Sequence, residues 1–226
     1  MKGAGVARIK VINGTPTVIE RLDLNNTGHW WPSDSHARYG DVAAYHDVRT
    51  NYIYALGGAP NFVTSWPDNQ YVYQVRVKAS QAYDLNAYEY WWGRSIGWSS
   101  RPLNMFNATT AVMWGVGQGQ IVWSNYFECY IFVHLGMSFL GPLSNRWRDA
   151  NFEVDWNKVA LRTAASPDGP WSADVIVYEP KLLGPYAYAG VAHPYVDSTG
   201  RTLTISYTNA PNVIEVIKVT FSGRVA

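Results

Sequence analysis

The segment "GDVAAYHDVRTNYIYALGG" (40–58) is a strand-like run opened by glycine, followed by a short polar turn and a second strand-like run closed by glycine. Two later segments repeat this order, "GQGQIVWSNYFECYIFVHLG" (117–136) and "GVAHPYVDSTGRTLTISYTN" (190–209). β-Branched and aromatic runs bounded by Gly, Asn and Asp are typical of antiparallel strands. Each segment therefore predicts a β-hairpin.

Each predicted hairpin is followed by further alternating runs, and these complete a larger repeat. The third runs are "YVYQVRVKA" (71–79), "KVALRTAAS" (158–166) and "VIEVIKVTF" (213–221). The first two continue into "AYEYWWG" (87–93) and "ADVIVYE" (173–179). Helical periodicity is scarce, and four antiparallel strands repeated about every 75 residues are typical of β-propeller blades. The predicted fold class is all-β, a β-propeller.

The chain has 226 residues, enough for one domain with a sizeable core. Before the first hairpin, "GVARIKVI" and "PTVIERL" are typical of the last two strands of a blade that lacks its inner hairpin. About three and a half four-stranded blades result, in a single partial propeller domain over 1–226. Its predicted parts are a remnant at 1–39 and blades at 40–93, 111–179 and 186–226. Closed rings have about four to eight blades, so we expect the C-terminal part of a larger ring.

Charge and apolar patterning exclude several classes of partner. Eighteen Lys and Arg balance seventeen Asp and Glu, and basic residues do not cluster beyond pairs, which argues against nucleic acid. Neither a signal peptide nor an apolar run of about eighteen residues is present, so no membrane partner is predicted. The single Cys129 lies in an apolar run and is predicted to be a buried, inert thiol.

Metal and cofactor binding are not predicted. The five histidines show no ligand-like spacing, and a metal site needs several ligands that converge.

Aromatic residues make up 15% of the chain, with 11 Trp and 16 Tyr. Most of these rings are expected to pack between sheets, because large aromatics dominate core energetics. The predicted exceptions are Trp31, Trp92 and Trp98, which lie in or beside predicted loops. These three are candidates for stacking on sugar rings.

Four stretches carry a resemblance to a known family: "ALRTAASPDGPWS" (160–172), "GVGQGQIVWSNYFECYIFVHLG" (115–136), "AYEYWWG" and "HPYVDSTGRTLTISYTN". Together they resemble the domain of unknown function 4185, a group of secreted five-bladed propellers of fungi and actinobacteria. "SPDGPW" is similar to a blade turn of glycoside hydrolase family 43. The resemblance covers the chain from about residue 28 to its end.

The resemblance implies a five-bladed propeller with glycoside hydrolase ancestry. It implies activity on furanosidic polymers such as D-arabinan, a polysaccharide or oligosaccharide partner and an extracellular location. Typical members also carry a signal peptide and a first blade with "GD"-type aspartates. Their absence here predicts truncation at the N-terminus, with reduced or absent catalysis by this chain.

Glycoside hydrolysis usually requires two carboxyl groups that flank the scissile bond. In propellers of the resembled type the acids line the central channel, on the innermost strands. Here those strands begin near Asp41, Gln118 and Gln120, and His193, so Asp41 is the only carboxylate among them. Two interpretations of Asp41 stay open: a channel acid, or an aspartate that accepts hydrogen bonds from turn amides. Its catalytic partner is predicted to lie outside this chain.

Gln118, Gln120 and His193 are the polar candidates for substrate binding. A glutamine amide can bind sugar hydroxyls with both of its ends, but it cannot carry the proton that acid–base catalysis requires. A neutral imidazole can bind a hydroxyl or tune a nearby acid, and a lone histidine before proline can also be purely structural. The sequence leaves both interpretations of His193 open.

Three other carboxylates are predicted to be architectural. Asp47 lies at the turn of "HDVRTN", where aspartate commonly bonds the local backbone. Glu89 has a counterpart at Glu179, on the fourth strand of the next blade. Asp168 opens the turn Asp168-Gly-Pro-Trp.

The residues leave two functions open. The first is a propeller of glycoside hydrolase type, and the second is a non-catalytic module that binds a glycan or a protein. Three glycosylation sequons begin at Asn13, Asn25 and Asn107, and they would be usable only in a secreted protein.

Overall fold

The computed structural model describes residues 2–22, 28–136 and 157–223, and the chain divides into two compact units, residues 1–114 and 115–226. The strands are β1 (Gly3–Ala4), β2 (Val6–Ile12), β3 (Thr15–Leu22), β4 (Trp31–Pro32), β5 (Ala43–Asp47), β6 (Tyr52–Gly58), β7 (Tyr71–Lys78), β8 (Glu89–Trp91), β9 (Trp98–Ser99), β10 (Met113–Trp114), β11 (Gly119–Ser124), β12 (Cys129–Leu135), β13 (Val159–Ala164), β14 (Val175–Tyr178), β15 (Ala187–His193), β16 (Thr202–Asn209) and β17 (Val213–Thr220). Short 3₁₀ turns lie at Asp68–Gln70, Ala79–Gln81, Leu85–Ala87 and Pro194–Val196.

The first unit is built on an antiparallel sheet in the order β5-β6-β7-β8-β9, and β10 also pairs with β7. One face packs on a core of large rings, among them Trp30, Tyr73 and Tyr90. β1 pairs with β4, and β2 pairs with β3 in a separate hairpin. Most side chains of that hairpin are exposed.

The second unit contains two antiparallel sheets, in the orders β11-β12-β13-β14 and β15-β16-β17. Alternate residues of β12 and β16 point into a shared apolar core, among them Ile131, Val133, Leu203 and Ile205. This alternation follows from the period of two along a strand. Both sheets run in sequence order, so each strand pairs with the next one along the chain.

The predicted fold class is confirmed: the chain is all-β and consists of propeller-type blades. The strands predicted for the blades at 40–93 and 111–179 form the meanders β5-β6-β7-β8 and β11-β12-β13-β14, but β10, which lies within 111–179, pairs with β7 of the first sheet. Part of the second predicted blade lies outside the described residues. The last blade, 186–226, has three strands within the described ranges. The predicted remnant at 1–39 contains the β2–β3 hairpin. The assignment of 1–226 to one partial domain stays a prediction.

The turns at Asp47 and Asp168, which the sequence predicts to be structural, are structural turns. Asp47 is fully buried, and its carboxylate accepts hydrogen bonds from the Arg49 amide (3.1 Å) and the Thr50 hydroxyl (2.8 Å). In the second turn Gly169 has a φ of +82°, a conformation that favours glycine, and the Trp171 ring packs back on Phe132. These residues therefore shape hairpin ends.

Candidate functional site

The first strands of the two sheets in the second unit lie side by side. The Oε1 atom of Gln120, on β11, accepts a hydrogen bond from the Ala192 amide of β15 at 2.9 Å. Gln118, just before β11, is exposed. The Gly119 backbone passes so close to β12 that a Cβ atom there would lie 2.2 Å from the Val133 carbonyl oxygen. Glycine at this position thus allows the two glutamines to flank a tightly packed strand start.

His193 ends β15, and both of its ring nitrogens are in hydrogen bonds. Nδ1 lies 2.8 Å from the Tyr195 hydroxyl, and Nε2 lies 2.8 Å from the Ser206 hydroxyl on β16. The Tyr195 ring contacts the imidazole edge to face and is itself 79% exposed. Through these two contacts the imidazole holds the exposed Tyr195 ring on one side and the Ser206 hydroxyl on the other.

The structure brings Gln120 and His193 together on neighbouring strands, while Asp41 belongs to the first unit. Asp41 lies before β5, and its carboxylate is only slightly exposed. One oxygen accepts a hydrogen bond from the Gly58 amide at 2.9 Å, and the other accepts one from Arg38 Nε at 2.7 Å. The Arg38 side chain also donates to the Ala59 carbonyl. Asp41 therefore binds the end of β6 to the segment that precedes β5.

We expect Asp41→Asn to lower the free energy of unfolding by about 1 kcal/mol, because the asparagine side chain cannot form the ion pair with Arg38. Its carbonyl oxygen still accepts the hydrogen bond from the Gly58 backbone N–H. Asp41→Ala should lower the free energy of unfolding by about 2 kcal/mol, since the Gly58 backbone N–H then also loses its acceptor. Asp34→Asn, at an exposed carboxylate of the same segment, is the matched control. Urea denaturation measures all three. Loss of a sugar-dependent activity in Asp41→Asn at unchanged stability would instead identify a channel acid.

The expectation that Trp31 and Trp92 present their rings to a ligand is wrong. Trp31 is 3% exposed and donates from its indole nitrogen to the Tyr90 hydroxyl at 3.0 Å. Trp92 is 5% exposed, and the Arg101 guanidinium covers its ring at 3.7 Å from the centroid. Packing against neighbouring rings and loops buries both side chains, although they lie near strand ends.

Trp98 is half-buried on β9, and its ring contacts a cation. The Arg76 guanidinium lies 4.2 Å from the Trp98 centroid and 4.4 Å from that of Tyr52, and its Nε donates to Glu89 at 2.8 Å. Cation–π contact and ion pairing thus stabilise the outer strands of this sheet. Glu89 has the architectural role predicted for it. A sugar-stacking role of Trp98 stays a prediction.

A cluster of His134, Arg162 and Asp174 in the second unit was not predicted from the sequence. Asp174 accepts from His134 Nε2 at 2.9 Å and from Arg162 through both oxygens, at 2.6 and 3.1 Å. His134 is 1% exposed, and its ring stacks on Phe132 at 5.1 Å. The one signal in the sequence is a histidine inside the apolar run of β12, where a buried imidazole needs a polar partner.

The cluster shifts the pKa values of its members. Burial lowers the pKa of the His134 imidazole, and the hydrogen bond to Asp174 offsets only part of this shift. Burial alone would raise the pKa of Asp174, but the hydrogen bonds from His134 and Arg162 hold it well below its ordinary value. At neutral pH the cluster therefore consists of a neutral imidazole and an Arg–carboxylate pair.

Other candidate chemistries find little support in the part of the chain that the structure describes. Within it, no three His, Cys, Asp or Glu side chains are grouped so as to hold a metal ion. Cys129 is half-buried rather than fully buried as predicted, and this partial burial raises the pKa of its thiol. No helix in these ranges has the length and apolarity that crossing a membrane requires. The sequon at Asn25 lies outside the described residues.

Comparison with known proteins gives a structural likeness. No family model matches the chain, and no curated protein matches it. Among solved structures, an exo-β-1,3-galactanase from Phanerochaete chrysosporium with bound β-1,3-galactotriose superposes with a TM-score of 0.41 at 14% identity. The match covers 96% of this chain and 42% of the galactanase chain. A likeness of this extent carries no argument about activity, so the fold assignment rests on the strands described above.

Proposed function

We propose that this chain is a carbohydrate-binding propeller module of glycoside hydrolase type that binds an oligosaccharide at the first strands of its second unit. The observation that carries the proposal is the Tyr195 ring, which is 79% exposed yet fixed by a hydrogen bond to His193. An exposed ring that is already ordered can stack on the C–H face of a sugar and loses little side-chain entropy on binding.

Polar groups on β11, β15 and β16 can orient the sugar. The carbonyl end of the Gln120 amide is held by the Ala192 amide, which leaves its NH₂ group to donate to a sugar hydroxyl. Gln118 is exposed two residues earlier. The hydroxyls of Tyr195 and Ser206 are fixed by His193 and can exchange hydrogen bonds with the ligand. A stacking ring with a few placed polar groups is the usual composition of a small-ligand site.

Binding without turnover is the form of the function that we propose for this chain. Both oxygens of Asp41 are held by Arg38 and Gly58, so proton transfer to a glycosidic oxygen would first have to break one of these contacts. A furanosidic polymer such as D-arabinan is the proposed ligand class, and an extracellular location is proposed with it. Both follow from the family resemblance in the sequence.

We expect titration with D-arabino-oligosaccharides to yield saturable binding heat and no released product. Tyr195→Ala should weaken binding about fivefold to tenfold, which corresponds to about 1 kcal/mol of stacking energy. Tyr83→Ala is the matched control, because Tyr83 is also an exposed tyrosine but belongs to the first unit. Isothermal titration calorimetry measures affinity, and chromatography of the same samples detects hydrolysis.

Two results would contradict the proposal. One is the absence of binding to any furanosidic or pyranosidic oligosaccharide by protein that unfolds cooperatively. The other is an equal loss of affinity in Tyr83→Ala and Tyr195→Ala.

A further inference from the structure

We propose that Ser206 and His193 form a nucleophile–base pair that hydrolyses small carboxylic esters. This goes beyond saccharide binding, because it assigns a covalent step to the Ser206 hydroxyl, which is hydrogen-bonded to the His193 imidazole. The pair was not predicted from the sequence, in which the two residues lie 13 positions apart.

The geometry is that of an activated serine. Ser206 Oγ lies 2.8 Å from His193 Nε2, and the opposite nitrogen, Nδ1, lies 2.8 Å from the Tyr195 hydroxyl. A nucleophile within hydrogen-bond reach of a base that a third group orients is the arrangement of serine hydrolases in general. In the tautomer with Nδ1–H donating to Tyr195, the lone pair of Nε2 accepts the Ser206 proton.

The strand register adds two groups on the same sheet face. Thr204 pairs with His193 on one side and with Lys218 on the other, and Ser206 lies two residues further along β16. Thr204 is 7% exposed, and within the described ranges its hydroxyl has no hydrogen-bond partner. The Thr204 hydroxyl is therefore available as a hydrogen-bond donor next to the Ser–His pair.

Lys218 supplies positive charge to this face. It is exposed, and it makes no ion pair with any residue that the structure describes. A long side chain diagonal to Ser206 across the β16–β17 pair is within reach of a group bound at the serine. An ammonium group and a hydroxyl donor near the nucleophile can stabilise the negative charge that develops on a carbonyl oxygen.

The reaction balances with water as the only co-reactant. Ser206 Oγ bonds to the acyl carbon as its proton passes to His193 Nε2, and the ester C–O bond breaks. The departing alcohol leaves with that proton. Water then attacks the acyl carbon as it loses a proton to the same imidazole. The bond between the acyl carbon and Ser206 Oγ breaks, the carboxylic acid leaves, and the imidazole returns its proton to Ser206 Oγ. Val191 and Val216 flank Ser206 on the two neighbouring strands, and both are exposed. Two small apolar side chains can cover a short acyl chain, so short acyl esters are the expected substrates.

The first test is hydrolysis of p-nitrophenyl acetate by the full chain. Ser206→Ala and His193→Ala should each lower the enzyme-dependent rate at least about tenfold. Added imidazole should restore part of the rate in His193→Ala only, which a structural role of His193 would not produce. A rate that is unchanged in Ser206→Ala overturns the proposal.

The second test is covalent labelling with a fluorophosphonate, located by peptide mass spectrometry. We expect an adduct on Ser206 that is lost in His193→Ala and kept in Ser35→Ala. Ser35 is the matched control, because its hydroxyl also lies within reach of an imidazole, 3.0 Å from Nδ1 of the adjacent His36. No adduct, or an adduct only on Tyr195, Lys218 or Ser35, contradicts the proposal. Both tests omit saccharide, so ester hydrolysis and saccharide binding can fail separately.

Discussion

Asp174→Ala is expected to lower the free energy of unfolding by about 3 kcal/mol. The substitution leaves the Arg162 guanidinium and the His134 Nε2–H largely buried without the acceptor that both now share. Removal of one partner of a buried ion pair costs more than the pair itself contributes, because the remaining charge stays desolvated. Urea denaturation followed by tryptophan fluorescence measures the change.

Glu89→Ala is the matched control for this prediction. Glu89 accepts from Arg76 Nε at 2.8 Å, much as Asp174 accepts from Arg162, but the Glu89 pair is more exposed. A partly exposed pair should contribute about 1 kcal/mol or less. Equal effects of the two substitutions would show that the Asp174 cluster contributes no more to the free energy of unfolding than the more exposed Glu89 pair.

The same cluster makes stability depend on pH. The folded pKa of His134 lies below the ordinary value of 6.5, so the unfolded chain takes up the proton first and stability falls as the pH drops below 6.5. The folded pKa of Asp174 lies below the ordinary value of 3.8, so a second loss begins as the pH falls towards 4 and below. Asp174→Ala should reduce this second loss but not abolish it, because hydrogen bonds also lower the pKa values of Asp197 and Glu215. Burial also lowers the pKa of His36, which adds to the loss of stability below pH 6.5.

Gly93→Ala is the second change with a large expected effect, a loss of about 4 kcal/mol in the free energy of unfolding. Gly93 has a φ of +83°, and a Cβ atom there would lie 1.9 Å from the Thr109 carbonyl oxygen. A backbone carbonyl cannot move aside as the end of a flexible side chain can. The loop that carries Thr109 must therefore move, or the turn between β8 and β9 must change.

Gly97→Ala separates the two causes of this loss. Gly97 lies in the same turn with a φ of +80°, but nothing lies within 4 Å of a Cβ atom at that position. Its substitution should cost only the left-handed strain, about 1 kcal/mol. Thermal unfolding of both variants measures the difference. A loss in Gly97→Ala as large as that in Gly93→Ala would show that the clash with Thr109 is not the cause.

Local patterns predicted the strands well, because the alternation of side chains and the glycines at turns are local properties. The runs 119–124 and 129–135 became β11 and β12 with the expected turn between them. The same local patterns identified Asp47 and Asp168 as turn residues. Bonds of an aspartate to its own turn need no knowledge of the tertiary fold.

The candidate site was only partly predictable, because its contacts depend on register and packing. Trp31 was expected near a loop surface, but Tyr39, Tyr88 and Trp30 surround its ring. The contact of His193 with Ser206 depends on a diagonal across two strands. A register shift of one residue would move Ser206 to the opposite face.

The His134 cluster escaped prediction for the same reason. His134 and Asp174 lie 40 residues apart, and β13 separates the strand of His134 from the segment that carries Asp174. No local pattern relates them. Their pairing follows only once the strand order is known.

A crystal structure of the full chain with a D-arabino-oligosaccharide would test the proposed binding site most directly. We predict a sugar ring stacked on Tyr195, with hydroxyls bonded to Gln120 and to the hydroxyls held by His193. We also predict an intact glycosidic bond. A ligand bound only at Trp98 or at Asp41 would contradict the proposed site, and cleaved product would contradict binding without turnover.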